Sequence, residues 1–332
     1  MDAWDNPAYE AALAYQRTAA LIAAVKLDIF SLIGAGTATS DELAEKTGAS
    51  KRGMRILCDF LTVIGLLQRE EGIYRVESVA RRYLDKASPA WMASAVEFFA
   101  APETLDLVLT DPTSYVRRGG SDGLAHLAPS HSIWVRFAEA MIPVASVTAK
   151  RAAAYLASLD NRPDKVLDVA AGHGLYGIEL ARRLPEANVT ALDWPEVLTL
   201  ARRNAEDAGV GNRFHTVAGS AFEAEWGQEF DLVLLANFLH HFGREDCSAL
   251  LRKTKASLSS KGRACAIDFI PNEDRVSPPM QAMFAFWMLA TTPEGDAYTL
   301  KDITEIAQDA GFRRITAHPL RPTPQTLVLL EV

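Results

Sequence analysis

The sequence predicts an α/β protein: a mainly α-helical winged-helix domain over residues 1–145, then a mostly parallel sheet over residues 146–332 with an antiparallel last strand. Three observations predict it. From residue 165 onward, short apolar runs alternate with stretches of helical spacing, the rhythm of repeated βα units. The first of these runs, from Lys165 to Val169, carries Asp168 and leads into the small-residue turn Ala170-Ala171-Gly172-His173-Gly174, which builds a ligand cleft at a strand's carboxyl end. The last two runs, Phe312 to Pro319 and Gln325 to Val332, are joined only by Leu320 to Pro324, too short for a parallel crossover, so they pair antiparallel.

The elements follow in order. From Tyr9 to Leu32, Leu13, Leu21, Ile22, Val25 and Ile29 recur at helical spacing, which predicts one long amphipathic helix before the Gly34-Ala35-Gly36 break. Ser40 is read as the cap of a short helix with acidic first-turn residues Asp41 and Glu42, and Gly48 closes it. Ser50 opens a second helix through Met54, Leu57, Leu61 and Ile64 to Gly65. Leu66 to Arg69 and Ile73 to Val76 then flank Glu70-Glu71-Gly72 as a small hairpin, so that helix, turn, helix and wing follow one another. Residues 90 to 145 read as further helices around a loop from Tyr115 to Ser130. Beyond them strands are expected near 165–169, 188–193, 213–217, 229–236 and 262–270, with helices between.

Composition narrows the partners. The net charge of −8 is divided between both halves, with no basic tail, and the expected wing tip carries Glu70-Glu71, which repels phosphate. The second helix offers only Lys51, Arg52 and Arg55, so nucleic acid is not an expected partner. No apolar run reaches the roughly 18 residues that span a bilayer, and the acidic start from Met1 to Glu10 lacks the basic flank of a secretory signal, so a cytoplasmic location without a membrane partner is expected. Cys58, Cys247 and Cys265 show no CxxC spacing, which suggests neither a disulfide framework nor a metal site.

Gly172, Gly174 and Gly177 spell GxGxxG, and Asp193 ends the next strand, where an acid grips ribose hydroxyls. The pattern fits a nicotinamide enzyme or a class I S-adenosylmethionine (SAM) methyltransferase, both Rossmann-like. Asp168 favours the second, because a carboxylate there attracts the methionine ammonium and repels a pyrophosphate. The terminal hairpin and the segment Asn237-Phe238-Leu239-His240-His241-Phe242 after the fourth strand point the same way, since histidine suits deprotonation near neutral pH.

On these residues the chain resembles the small-molecule O-methyltransferases typified by plant caffeate, animal hydroxyindole and bacterial carotenoid or antibiotic-tailoring enzymes. The resemblance covers nearly the whole length. The family's glycine-rich motif matches Asp168 to Gly174, with Ala170 and Ala171 in place of two glycines. Its ribose-binding acid matches Asp193-Trp194-Pro195, and its adenine-flanking segment matches Gly219-Ser220-Ala221-Phe222. Its Leu-His-Asp-Trp motif aligns with Leu239 to Phe242, which gives His240 the role of general base. One supporting acid corresponds to Asp268. Departures are His241 for the family's aspartate, Ala236 for its lysine and Ala297 for its second acid.

The resemblance implies a seven-stranded sheet, SAM as cofactor with S-adenosylhomocysteine as product, no metal, and a homodimer formed through the N-terminal domain. It implies a cofactor site of Asp168, Gly172, Gly174, Asp193, Trp194, Ser220, Ala221, Phe222 and Asn237, and a catalytic group of His240, Asp268 and His241. The acceptor is expected to be a small, largely apolar hydroxylated metabolite, aromatic or polyketide-like. Trp134, Phe137 and Met141 before the sheet, with Met280, Met283, Phe284, Trp287 and Met288 after Pro278-Pro279, are the expected acceptor pocket, and Met283 and Trp287, one helical turn apart, mark its facing side. The alternatives are N-methylation or non-methylating SAM chemistry on the same fold and, from another class, an NAD-dependent oxidoreductase.

Overall fold

A computed structural model describes residues 6–124, 128 and 130–332, and divides the chain between Thr104 and Leu105 into two units. The first five residues of the acidic start and part of the expected loop from Tyr115 to Ser130 lie outside the described residues.

In the first unit Asn6 caps α1 (Pro7–Lys26), with Pro7 standing where no amide partner is needed. The single helix expected from Tyr9 to Leu32 is in fact two. Asp28 takes a left-handed conformation (φ 56°), which interrupts the hydrogen-bond ladder, and α2 (Ile29–Ile33) restarts with Ile29, Phe30 and Ile33 buried. The apolar spacing survives the break, which is why the sequence hides it. After β1 (Ala38–Thr39) comes α3 (Ser40–Thr47). Its cap is Thr39 and not Ser40: the Thr39 hydroxyl accepts the Glu42 amide while the Glu42 carboxylate accepts the Thr39 amide, a reciprocal capping box.

Ser50 caps α4 (Lys51–Val63) as expected. Strands β2 (Leu67–Glu70) and β3 (Ile73–Val76) are joined by Glu71 and Gly72, both at positive φ, the twist that a two-residue hairpin needs. β1 pairs with the other edge of β3, so helix, helix and wing share a core of Phe30, Leu43, Met54, Leu61 and Tyr74. Helices α5 (Ser78–Leu84) and α6 (Ala93–Phe99) follow, and the division between the units falls within α7 (Pro102–Leu109).

In the second unit α8 (Pro112–Arg118) replaces the first part of the expected loop: Asp111 caps it, Pro112 opens it and Gly119 closes it in a left-handed turn. The long α9 (Ile133–Leu156) then leads to the sheet. Along the chain come β4 (Lys165–Val169), α10 (Leu175–Arg183), β5 (Asn188–Asp193), α11 (Pro195–Asp207), β6 (Phe214–Ala218), β7 (Phe230–Ala236), α12 (Arg244–Ser257) and β8 (Leu258–Asp268). After these come α13 (Pro279–Thr291), α14 (Leu300–Asp309), β9 (Arg314–Pro319) and β10 (Thr326–Glu331).

The seven strands lie in the order β6-β5-β4-β7-β8-β10-β9, and β10 runs antiparallel to both of its neighbours. One face is covered by a cluster that includes Leu156, Ile178, Leu180 and Leu198 from α9, α10 and α11. The other face meets Leu250, Leu251, Ile303 and Ile306 from α12 and α14. Strand order reverses between β4 and β7, so the crevice of this sheet opens beyond their carboxyl ends. Among the described residues no helix is long and apolar enough to cross a membrane.

Candidate active site

The carboxyl end of β4 carries the first part of the site. Asp168 is 1% exposed, and its carboxylate accepts the Gly177 amide at 3.0 Å from the first turns of α10. Burial pushes its pKa up to about 7; the Gly177 hydrogen bond pulls it down and the nearby Asp193 charge adds to the rise. The two ends of the glycine motif act differently. Gly172 has φ 56° and an added Cβ would meet nothing within 4 Å, so the turn leaves its backbone open to a ligand. At Gly177 an added Cβ would lie 2.6 Å from Cγ1 of Val189, so glycine there lets α10 lie close on the sheet.

Asp193 ties the ends of β4 and β5 together. Its Oδ2 accepts the Gly172 amide at 2.7 Å and its Oδ1 the Trp194 amide at 2.7 Å, while burial raises its pKa. Trp194 caps α11, with Pro195 at the first helical position. Beyond β6, the Ser220 hydroxyl accepts the Phe222 amide, and Phe222 meets Phe242 edge to face. A residue that sequence reasoning missed holds this segment: the Lys253 ammonium donates to the carbonyls of Ala221, Phe222 and Ala224 at 3.0, 2.8 and 2.8 Å. Nothing in the spacing of residues 221 and 253 signals that contact.

The end of β7 carries the rest. Asn237 stands at φ 51°, donates through Nδ2 to the Tyr176 hydroxyl at 2.9 Å, and leaves a buried Oδ1 with no partner. His240, 4% exposed, has Nδ1 2.6 Å from Oδ1 of Asp268, which also accepts the Phe269 amide. Its Nε2 lies 3.2 Å from Nε2 of His241. The His240 carbonyl accepts the Asp296 amide at 3.0 Å, so backbone and ring are both anchored. Burial, and secondly the neighbouring His240, hold the His241 pKa well below the usual imidazole value. Ala297, where the resemblance places a second acid, is a buried apolar residue.

The structure thus brings His240, His241 and Asp268 into one hydrogen-bonded chain, while at the ends of β4 and β5 Asp168 accepts the Gly177 amide and Asp193 accepts the Gly172 amide. It does not gather the expected pocket residues in the same way. Trp134 packs with Val135, Ile142 and Trp194 around Ala138, Val197 and Leu200, over α11, and donates its indole N–H to the Ala128 carbonyl. Phe137 is 37% exposed, Met141 is half-buried, Met283 is 68% exposed and Trp287 is half-buried. The α13 side chain that touches the imidazole is Phe284, edge-on to His240 at 4.8 Å and stacked on Phe269 at 4.3 Å. Sequence periodicity put Phe284 on the right helix, but the helical phase toward His240 becomes visible only in three dimensions.

These groups fit a nucleoside that carries an amino-acid group. A buried carboxylate with a raised pKa gains from an ammonium, the orphan Oδ1 of Asn237 accepts a donor, and the open backbone at Gly172 admits a ligand beside Asp193. A diphosphate would add charge next to two carboxylates. Comparison with known proteins decides the matter. The O-methyltransferase domain matches residues 113–313 and the O-methyltransferase dimerisation domain matches residues 9–86. The chain belongs to the O-methyltransferase family.

Its relatives agree on this. It is 29% identical to the 3-hydroxy-5-methyl-1-naphthoate 3-O-methyltransferase of Streptomyces sahachiroi over 90% of this chain and 87% of that one. A crystal structure of a candidate O-methyltransferase from Nostoc punctiforme shares 42% identity over 98% of both chains, with a TM-score of 0.92. Human N-acetylserotonin methyltransferase, solved in complex with SAM, has the same fold: TM-score 0.83 over 100% of this chain and 99% of that one, at 22% identity. This O-methyltransferase is therefore a SAM-dependent enzyme of the secondary-metabolite and hydroxyindole type, with a dimerisation domain at residues 9–86.

Proposed function

We propose that the enzyme methylates a phenolic hydroxyl of a small, largely apolar aromatic or polyketide-like metabolite, with His240 as general base. The observation that carries this reading is the 2.6 Å contact between Nδ1 of His240 and Asp268, buried on both sides. A carboxylate on Nδ1 fixes the tautomer, leaves the lone pair on Nε2 and stabilises the imidazolium that forms there.

A phenol has a pKa of about 10 and is mostly protonated at neutral pH, so a base within reach contributes about 10²- to 10⁴-fold. His240 takes the hydroxyl proton on Nε2 as the oxygen becomes nucleophilic. When bound, SAM supplies the electrophilic methyl group and leaves as S-adenosylhomocysteine. Asp168 and the Asn237 side chain would hold its amino-acid part, Gly172 and Gly174 its path across the turn, Asp193 and Trp194 its ribose, and Ser220, Ala221 and Phe222 its adenine. Phe269 and Phe284 beside the base suit a flat acceptor, as does the naphthoate named for the Streptomyces relative. Trp134, Phe137, Met141, Met283 and Trp287 remain the proposed outer lining. Residues 1–145 serve as the dimerisation and capping domain, and residues 146–332 as the catalytic domain.

The test is a screen of phenols, naphthols and indoles with SAM, scored by mass for a gained methyl group. His240→Ala should lower kcat about 10²- to 10⁴-fold while calorimetric affinity for S-adenosylhomocysteine stays within about twofold. Full activity in that variant removes His240 from the role.

A further inference from the structure

A neutral imidazole has a single in-plane lone pair, and the surroundings of His240 decide where it lies. Asp268 accepts from Nδ1, so the lone pair is on Nε2. That lone pair meets Nε2 of His241 at 3.2 Å. Two lone pairs at this distance repel each other, so the neutral pair is stable only with the His241 proton on Nε2, donated to His240. Burial keeps His241 neutral, which makes it a poor acceptor for a proton leaving His240 and leaves it to act as a donor.

The two rings are not held alike. His240 is anchored through Asp268, through the Asp296 amide on its carbonyl and by the Phe284 edge. Among the described residues the half-buried His241 ring has its hydrogen bond to His240 alone. We propose that His241 is a displaceable cap on the base, its Nε2–H occupying the His240 lone pair until an acceptor hydroxyl takes the same position. This rests on His240 being the base. One donor replaces another, so the exchange favours ligands that present a hydrogen-bond donor. A methylated product has lost that donor, and once His240 has released the transferred proton from Nε2 to solvent the cap re-forms in its place.

Long-range 1H–15N spectra of the labelled full-length protein with S-adenosylhomocysteine, assigned with His240→Asn and His241→Asn, read the tautomers directly. The expected result is His240 protonated on Nδ1 and His241 on Nε2. His241 protonated on Nδ1, or on both nitrogens, overturns the cap. With the acceptor from the screen, His241→Ala should raise kcat/KM by up to about tenfold, because one net hydrogen bond no longer has to be broken. A fall in kcat/KM gives His241 a part in the proton transfer and overturns the proposal. A screen without any methylated product would sink the functional reading, and the tautomers would still decide the cap.

Discussion

A buried carboxylate that receives an ammonium links ligand affinity to pH, and Asp168 is the group proposed for that role. Its pKa in the folded protein, about 7, lies above the ordinary carboxylate value of 3.8, so between these limits the folded chain holds a proton that the unfolded chain has released. This group's contribution to stability is therefore largest at low pH and is lost as pH rises through about 7. A cationic ligand acts in the opposite sense, because it favours the ionised form. Affinity for S-adenosylhomocysteine should rise with pH up to about 7 and level off above it, with proton release on binding near pH 6. Calorimetry in buffers of different ionisation enthalpy measures that release, and Asp168→Asn should abolish it. A flat pH dependence in the parent protein would show that Asp168 does not change its protonation when the ligand binds.

Asp168 was legible because strand ends and motif spacing are local properties, whereas the pairing of His240 with Asp268 was implied by the family resemblance, and their contact is a property of the fold. Lys253 was not legible, since it meets carbonyls some thirty residues away; Phe284 was expected in the acceptor pocket, but its contact with His240 depends on how α13 is rotated. His241 was visible as a departure, but its contact with the Nε2 of His240 depends on side-chain angles that no spacing encodes.

At the scale of elements, the sequence revealed strands better than breaks. The five parallel strands and the terminal pair lie within a few residues of their expected positions, because each is an apolar run with clear punctuation. The break at Asp28 has no glycine or proline to mark it. Two other misreadings had signals in plain sight: Thr39 stands three residues before Glu42, as a capping box requires, and Asp111-Pro112 followed by Gly119 frames α8. Packing between elements also carries a prediction. Gly177→Ala gains helix propensity of about 1 kcal/mol, but it drives a methyl group into the buried Val189, and such overpacking costs about 1–3 kcal/mol. Net destabilisation of up to about 2 kcal/mol is expected, readable by urea unfolding, together with weaker S-adenosylhomocysteine binding, because the same methyl group presses on Asp168. Unchanged stability would mean that α10 can shift away from β5 without loss.

For the whole molecule, fold class was readable from the alternation of elements and the family from the resemblance that its motifs carry, whereas the acceptor was not, because its pocket is a product of tertiary packing. The dimerisation domain at residues 9–86 implies two copies in solution. Light scattering after size exclusion should give about twice the 36.2 kDa chain mass. A monomer at micromolar concentration would show that residues 9–86 do not dimerise this chain.

The three carbonyls around Lys253 reach beyond structure. An amine whose hydrogens are all engaged is shielded from acylating reagents, which consume exposed lysines first. Its rate of modification therefore times the opening of the segment around Phe222, and a nucleoside resting against that segment should slow the clock.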